Sequence, residues 1–546
     1  MRQLKVSLPF TFTNAIKRIT QGFHVRNSMD NQKTNLVCYV NNKNKRSIYT
    51  VMLSLLLTFS YGNVLLKNSQ TNIVNYTLSW NGESSKVKVN IKLPTLGKKE
   101  ITLFYSPNPF DPYSSANAIE NFSVAAGVTF EQDRNAYYIH NTSGRDVVEI
   151  SYTLNAENTN DGKTIPLNEA MAMNGEAMVK KDYLKLLGRH FLLFSQEEDI
   201  SKLDHSVSWT DVPSKFNTFD LTKNKTLSIY ELMGSLYLFS EHLKTDSFMV
   251  QNIPHYILNT EEKFSENQAI IKNAVQKVMP ETMRFFNDYD FSHYFVYCKN
   301  TSAIPKEDLT KFSNKGFFSA EAFQNGFLGT FIGEIGFQEA LVVVHESIHR
   351  WLISLGGSFD HLWFNEGFTE YITLYTGGSS GFLDASQFEE IFNYNFKAYY
   401  TNFKKLPPEN RTNKFIQENV RLDQSAMVIN YPKGFIFAFY LDNKIRLASN
   451  GTKTIRDLMI DYNKERKNAN LPFGLNISLE TFEKLVSAYI PSSEVRSSIK
   501  KYIEDGDYIN FNTEKLIEGI SISTKEDSAP VFKFTDEKNL KLLYSF

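Results

Sequence analysis

Cysteine is nearly absent: the chain has two in 546 residues, Cys38 and Cys298. Neither has a metal-ligand spacing, and one pair offers no disulfide framework. Charge of one sign is also missing. There are 59 basic and 60 acidic residues, a formal net charge of −1. That leaves no electrostatic footprint for nucleic acid or for an anionic membrane. Internal repeats and low-complexity tracts are lacking, which argues against solenoids and arrays. The apolar run Ile48–Tyr61 covers fourteen residues, short of the roughly 20 that a spanning helix needs, so no stable membrane span is expected.

What is present describes a multidomain protein with large cores. Hydrophobic residues make up 42% and charged residues 22%, and this length suits about two to four domains. Residues 1–62 read as a leader. The basic stretch Lys43-Asn44-Lys45-Arg46, the apolar run and the small-x-small triplet Ser60-Tyr61-Gly62 have the shape of a signal peptide. On that reading Met29 is an alternative start and the protein is exported to a periplasm, a cell surface or the medium. If the run is instead an ordinary buried element, the protein is cytoplasmic.

Residues 63–235 read as an antiparallel β domain. Val87, Val89, Ile91 and Leu93 alternate with polar residues, and Ile101–Tyr105, Tyr137–His140 and Val147–Leu154 are further short β runs between turn residues. Residues 236–395 read as an α/β domain. It has a helix bearing Ile270, Ile271, Val275 and Val278 that breaks near Pro280, then a strand at Tyr294–Cys298 with Cys298 buried. Residues 396–546 read as mainly helical, with one helix opened by Tyr431-Pro432-Lys433-Gly434 and two more near Leu479–Tyr489 and Ser493–Ile503. Lys433 is expected to be a surface charge.

The chemistry lies in VVVHESIHRWLISLGGSFDHLWFNEGFTEY, Val342–Tyr371. Apolar spacing over Leu341–Leu352 predicts a helix ended by Gly356-Gly357, so His345 and His349 share a face one turn apart. Two neutral imidazoles so spaced can hold one zinc ion, and Glu346 between them in sequence can act as general base toward a metal-activated water. The alternative is an ordinary core helix. Such a site needs a third protein ligand. A second predicted helix, from Asp360 or His361 to Thr376 and ended by Gly377-Gly378, carries Glu366 as that ligand. Glu370, one turn on, is set to accept from the far nitrogen of a ligand histidine, unless it is a solvated carboxylate. His361 reads as structural.

HESIH followed by LWFNEGFTEY resembles the gluzincin metallopeptidases, in two families: the alanyl aminopeptidase/leukotriene A4 hydrolase family and the glycyl aminopeptidase family. The resemblance covers roughly residues 70–515. It implies a multidomain α+β protein with an N-terminal antiparallel β domain, a thermolysin-like α/β catalytic domain and a C-terminal α-helical domain. It also implies one Zn2+ per chain on His345, His349 and Glu366, and a peptide or protein substrate. The sixteen residues between His349 and Glu366 are fewer than either family usually has. Tyr431 matches the tyrosine that donates to the oxyanion in these families. The stretch FYLDNKIR with Asp442 and Arg446, and TIRDLMIDY over Thr454–Tyr462, are similar to the glycyl family. Gly326-Phe327-Leu328-Gly329-Thr330-Phe331-Ile332-Gly333 falls where the families have a substrate-pairing edge strand, which makes Gly326 and Gly329 candidate substrate contacts; a buried apolar strand is the other reading. No glutamate stands within that stretch to bind a free α-amine, and Glu334 and Glu339 are the candidates. The resemblance therefore implies a zinc peptidase with aminopeptidase action foremost. An endopeptidase, a non-peptide hydrolase and a non-catalytic peptide-binding protein remain alternatives.

Overall fold

The computed structural model describes residues 3–8, 25–30, 33–39, 72–104, 119–133, 136–156, 177–260, 265–300, 316–332, 336–352, 361–419, 426, 428–469, 476–524 and 528–536. The chain forms two compact units, 1–72 and 73–546. In the first, Gln3–Leu8 and Val25–Asp30 flank Lys33–Tyr39 in a three-stranded antiparallel sheet. The apolar run 48–61 lies outside the described residues. No helix among the described residues is long and apolar enough to cross a membrane.

The second unit begins with β layers. Five strands run in the order Asp204–Thr210, Ile73–Ser79, Lys86–Pro94, Val147–Asn155, Ile119–Val124. The alternation read from the sequence is the burial pattern: Val87, Val89, Ile91 and Leu93 are all buried while their neighbours Lys86, Lys88, Asn90 and Lys92 are exposed. The pairing is antiparallel except between Ile73–Ser79 and Asp204–Thr210, which is parallel. Strand Leu236–Ser240 pairs with Tyr183–Leu187 and Asn217–Asp220. The β layers thus run past residue 235, where the sequence pattern ended them.

The α/β module follows. Its sheet is built from β1 (Lys244–Val250), β2 (Ile253–Asn259), β3 (Tyr294–Asn300), β4 (Gly316–Phe323) and β5 (Gly326–Ile332). The spatial order is β1-β2-β3-β5-β4, with β2, β3 and β5 parallel and the outer strands antiparallel. This corrects the expected role of GFLGTFIG. Strand β5 is internal: Gly326 pairs with Phe295 and Phe323, and Gly329 with Cys298 and Ala320. With neighbours on both sides, its backbone has no free edge for a substrate. Gly326 is required by packing instead, since a Cβ there would stand 2.4 Å from the Phe295 carbonyl oxygen. Among the described residues the edges of this sheet are β1 and β4.

Five helices complete the frame: α1 (Ser265–Phe286), α2 (Phe337–Ile348), α3 (Thr369–Ser379), α4 (Ala385–Ala398) and α5 (Asn430–Ala448). Two expected breaks do not occur. Helix α1 continues through Pro280 because Ile271, Val275, Val278, Met283 and Phe286 are all buried along one face, and tertiary packing outweighs one missing backbone bond. Helix α3 runs over Gly377-Gly378, since Gly377 is a contact and not a stop: a Cβ there would lie 2.7 Å from Leu383 Cδ1. The region after residue 396 is helical as expected, and it adds an antiparallel hairpin, Ile520–Ser523 with Val531–Phe534. Its Phe532 stacks on Phe392 of α4, ring centroids 4.2 Å apart.

Candidate metal centre

Helix α2 buries Ala340, Val343, Val344 and Ile348, a stripe that orients the whole helix. His345 sits in its last turn. His349 lies one residue past the helix end, in a turn where Trp351 and Leu352 both donate to the Ile348 carbonyl. That turn aims the Leu352 carbonyl oxygen at His349 Nδ1, 3.2 Å away. A proton on Nδ1 then leaves Nε2 as a lone pair. His345 Nδ1 makes no hydrogen bond, and Glu370 Oε1 lies 3.5 Å from it.

Glu366 comes from the π-helical turn Trp363–Phe368 that leads into α3. Its neighbour Asn365 donates to Oε1 at 2.7 Å, which leaves Oε2 facing the histidines. Oε2 is 3.3 Å from His345 Nε2 and 3.6 Å from His349 Nε2, and the two Nε2 atoms are 3.1 Å apart. This is the group among the described residues with three converging ligand atoms. The donor set fits zinc. Metal–ligand bonds of about 2.0–2.1 Å imply tetrahedron edges near ~3.3 Å, the size of the triangle seen. A buried carboxylate facing two imidazoles calls for positive charge among them, from a metal ion or from an imidazole proton.

The charges of the three groups are coupled, so a metal ion here would displace the proton that Glu366 favours on His349. Burial opposes a charge on His349, but the nearby Glu366 carboxylate outweighs it and raises the imidazole to about 9. Burial likewise opposes the charge on Glu366, yet both histidines hold its carboxyl well below the usual range. Glu346 moves the other way: burial pushes its carboxyl up, against the pull of His349 and His345. Burial also raises Glu370. Tyr431 stands in the first turn of α5 with its ring stacked on His345, centroids 6.0 Å apart. Burial and then the charges of Glu366 and Glu346 push its phenol well above the ordinary value, so it remains a donor.

Two glycines that the sequence reading quoted without a role bring these elements together. Gly367 of the π turn and Gly434 of α5 pack backbone to backbone. A Cβ on Gly434 would stand 1.7 Å from the Trp363 carbonyl oxygen, and one on Gly367 2.2 Å from Gly434 Cα. The signal was available, since glycine inside a helical pattern points to close packing. Lys433 is corrected: it is buried, not a surface charge. Its Nζ donates to the Ile503 carbonyl at 2.8 Å, and burial lowers the ammonium to about 7. His361 packs edge-on against Trp363, outside the ligand triangle. Glu334 lies outside the described residues.

No protein-family profile and no curated protein sequence matches the chain. Solved structures do. An aminopeptidase N family protein from Idiomarina loihiensis superposes with a TM-score of 0.61 at 13% identity, over 84% of this chain and 81% of that one. An M1 zinc metallopeptidase from Deinococcus radiodurans gives 0.48 at 15% identity, over 80% and 94%. Yeast LTA4 hydrolase in complex with bestatin gives 0.49 at 13%, over 82% and 69%. The chain shares its fold with that aminopeptidase N family protein, and runs β layers first, the α/β module next and helices last.

Proposed function

We propose that the chain is a zinc-dependent peptidase that acts foremost as an aminopeptidase. The observation that carries this reading is the buried triangle of His345 Nε2, His349 Nε2 and Glu366 Oε2, with Glu346 and Tyr431 beside it in a fold shared with an aminopeptidase N family protein. Bound zinc supplies Lewis-acid chemistry, activating a water and polarising the scissile carbonyl. The remaining work falls to the chain's own residues. Glu346, its carboxyl raised by burial, takes the proton from the attacking water and returns it to the leaving amine. Tyr431, held protonated, donates to the oxygen on which charge develops, an interaction of the kind worth roughly 10²–10³ in rate. Asn365 orients Glu366, and Glu370 lies beside His345.

Aminopeptidase action needs an acid near the substrate's free amine. Glu321 stands on the edge strand β4, in register with Leu328 of β5, and it joins Glu334 and Glu339 as a candidate. An extended peptide can add to that edge by main-chain hydrogen bonds. The test is hydrolysis of peptides with free and with blocked N-termini by wild type, Glu346→Gln and Glu321→Gln. We expect cleavage of free-amine peptides alone, a loss of at least ~10³-fold in Glu346→Gln, and a raised KM in Glu321→Gln. Cleavage of blocked peptides at an equal rate would make the enzyme an endopeptidase. No turnover on either set would favour a non-peptide substrate or a binding role.

A further inference from the structure

The stretches around Asp442 and Thr454–Tyr462 have no part in the chemistry above, yet they carry a buried carboxylate with three hydrogen-bonding partners near the site. Asp442 lies on α5 and is 1% exposed. Its carboxylate accepts from Tyr371 Oη at 2.8 Å, from Arg446 Nε at 3.0 Å and from the Ile455 backbone N–H at 2.8 Å. Ile455 opens helix α6 (Ile455–Asn468). Tyr371 is the residue after Glu370 on α3.

We propose that Asp442, acting through Tyr371, is a positioning residue for the metal centre. This rests on the zinc-site reading above and extends it. Helix α5 carries Tyr431, and the turn leading into α3 carries Glu366. The two helices touch at Gly367 and Gly434, where backbone meets backbone with no room for a Cβ. That contact sets how close the helices come, but a smooth glycine contact does not by itself stop one helix from sliding or turning on the other. The Tyr371–Asp442 bond is a second pin, four residues along α3 from Gly367 and eight along α5 from Gly434. Two pins fix both axial register and rotation. The stakes are set by helix geometry: a slip of one residue moves a side chain by about 1.5 Å and turns it through about 100°. A metal site tolerates only about 0.2 Å. Arg446 holds the Asp442 carboxylate in place through its Nε, and the phenol of Tyr371 packs its ring against Phe435, centroids 5.5 Å apart. The hub therefore reaches Glu366 and Glu370 without touching substrate.

The direct variant, Asp442→Asn, strands the buried Arg446 cation and tests folding more than position. Tyr371→Phe is the sharper test, because it removes one hydroxyl and keeps the ring packing and the Asp442–Arg446 pair. Tyr489→Phe is the control, since it deletes a comparable bond to Asp461 at 2.6 Å on α6. Zinc affinity is measured by competition with a metal-binding dye, and thermal unfolding is measured on metal-free protein. We expect Tyr371→Phe to weaken zinc about tenfold, as loss of an outer partner of a metal ligand does, with an unfolding midpoint matching that of Tyr489→Phe, whose zinc affinity stays at the wild-type value. Affinity within about twofold of wild type in Tyr371→Phe, or an equal loss in both variants, would overturn the proposal while leaving the zinc site intact. Wild type that binds no zinc would overturn the metal-site reading, and this inference with it.

Discussion

Glu366 shows how much a candidate ligand depends on its neighbour in the chain. Asn365 holds one carboxylate oxygen and leaves the other for the histidines, so the Asn-Glu pair acts as one unit. Lys433 makes the opposite point: it stands two residues from Tyr431 and is buried among carbonyls with its ammonium lowered to about 7 from 10.5. The folded chain therefore releases this proton at a lower pH than the unfolded chain does. Between about pH 7 and about pH 10.5 the unfolded state binds more protons, so stability from this group rises with pH across that window. Lys433→Met should remove the rise. Urea unfolding of wild type and variant at pH 7 and pH 9.5 checks it, and the wild type should gain at least ~1 kcal/mol relative to the variant at the higher pH. A difference independent of pH would contradict the buried, easily deprotonated lysine.

At the scale of elements, the site depends on helices meeting at glycines. Gly434→Ala would put a methyl group into the Trp363 carbonyl. Overpacking of this kind costs roughly 1–3 kcal/mol or more, and here the strain falls on the turn that bears Glu366. We expect a lowered unfolding midpoint by calorimetry together with weakened zinc binding; unchanged zinc affinity would mean that the contact does not set the site. These elements also show what the sequence could convey. His345, His349 and Glu366 were legible because residues four apart must share a helix face and because zinc needs a third donor. Alternation in Val87–Leu93 was legible because one face of that strand is wet. Pro280 and Gly377-Gly378 misled for one reason: local rules for breaking helices were overruled by burial of the helix face and by Leu383. Strand β5 misled because an apolar strand with glycines reads alike at an edge and in a sheet interior, and only the partners on either side decide. Asp442 was visible as a residue but not as a hub, since its partners Tyr371 and Ile455 lie far apart in sequence.

At the scale of the whole molecule, the β layers of the second unit and the sheet of the α/β module share a core. Leu187, Leu236 and Leu238 pack with Leu258, Phe295 and Leu328, so the sheet that supports α2 is itself backed by the preceding layers. A second and larger core joins α1 to α5 with the C-terminal hairpin. This arrangement leaves β4 at one edge of the sheet among the described residues and gathers His345, Glu346, His349 and Glu366 at one buried centre. The central claim is that this centre holds a single zinc ion on His345, His349 and Glu366. X-ray absorption at the zinc edge, with metal content, tests it on wild type and on Glu366→Gln. The account predicts one zinc per chain, bound by two imidazoles and one carboxylate oxygen at about 2.0–2.2 Å, and markedly weaker binding in the variant. No stoichiometric zinc in the wild type, or a shell containing sulfur, would contradict it.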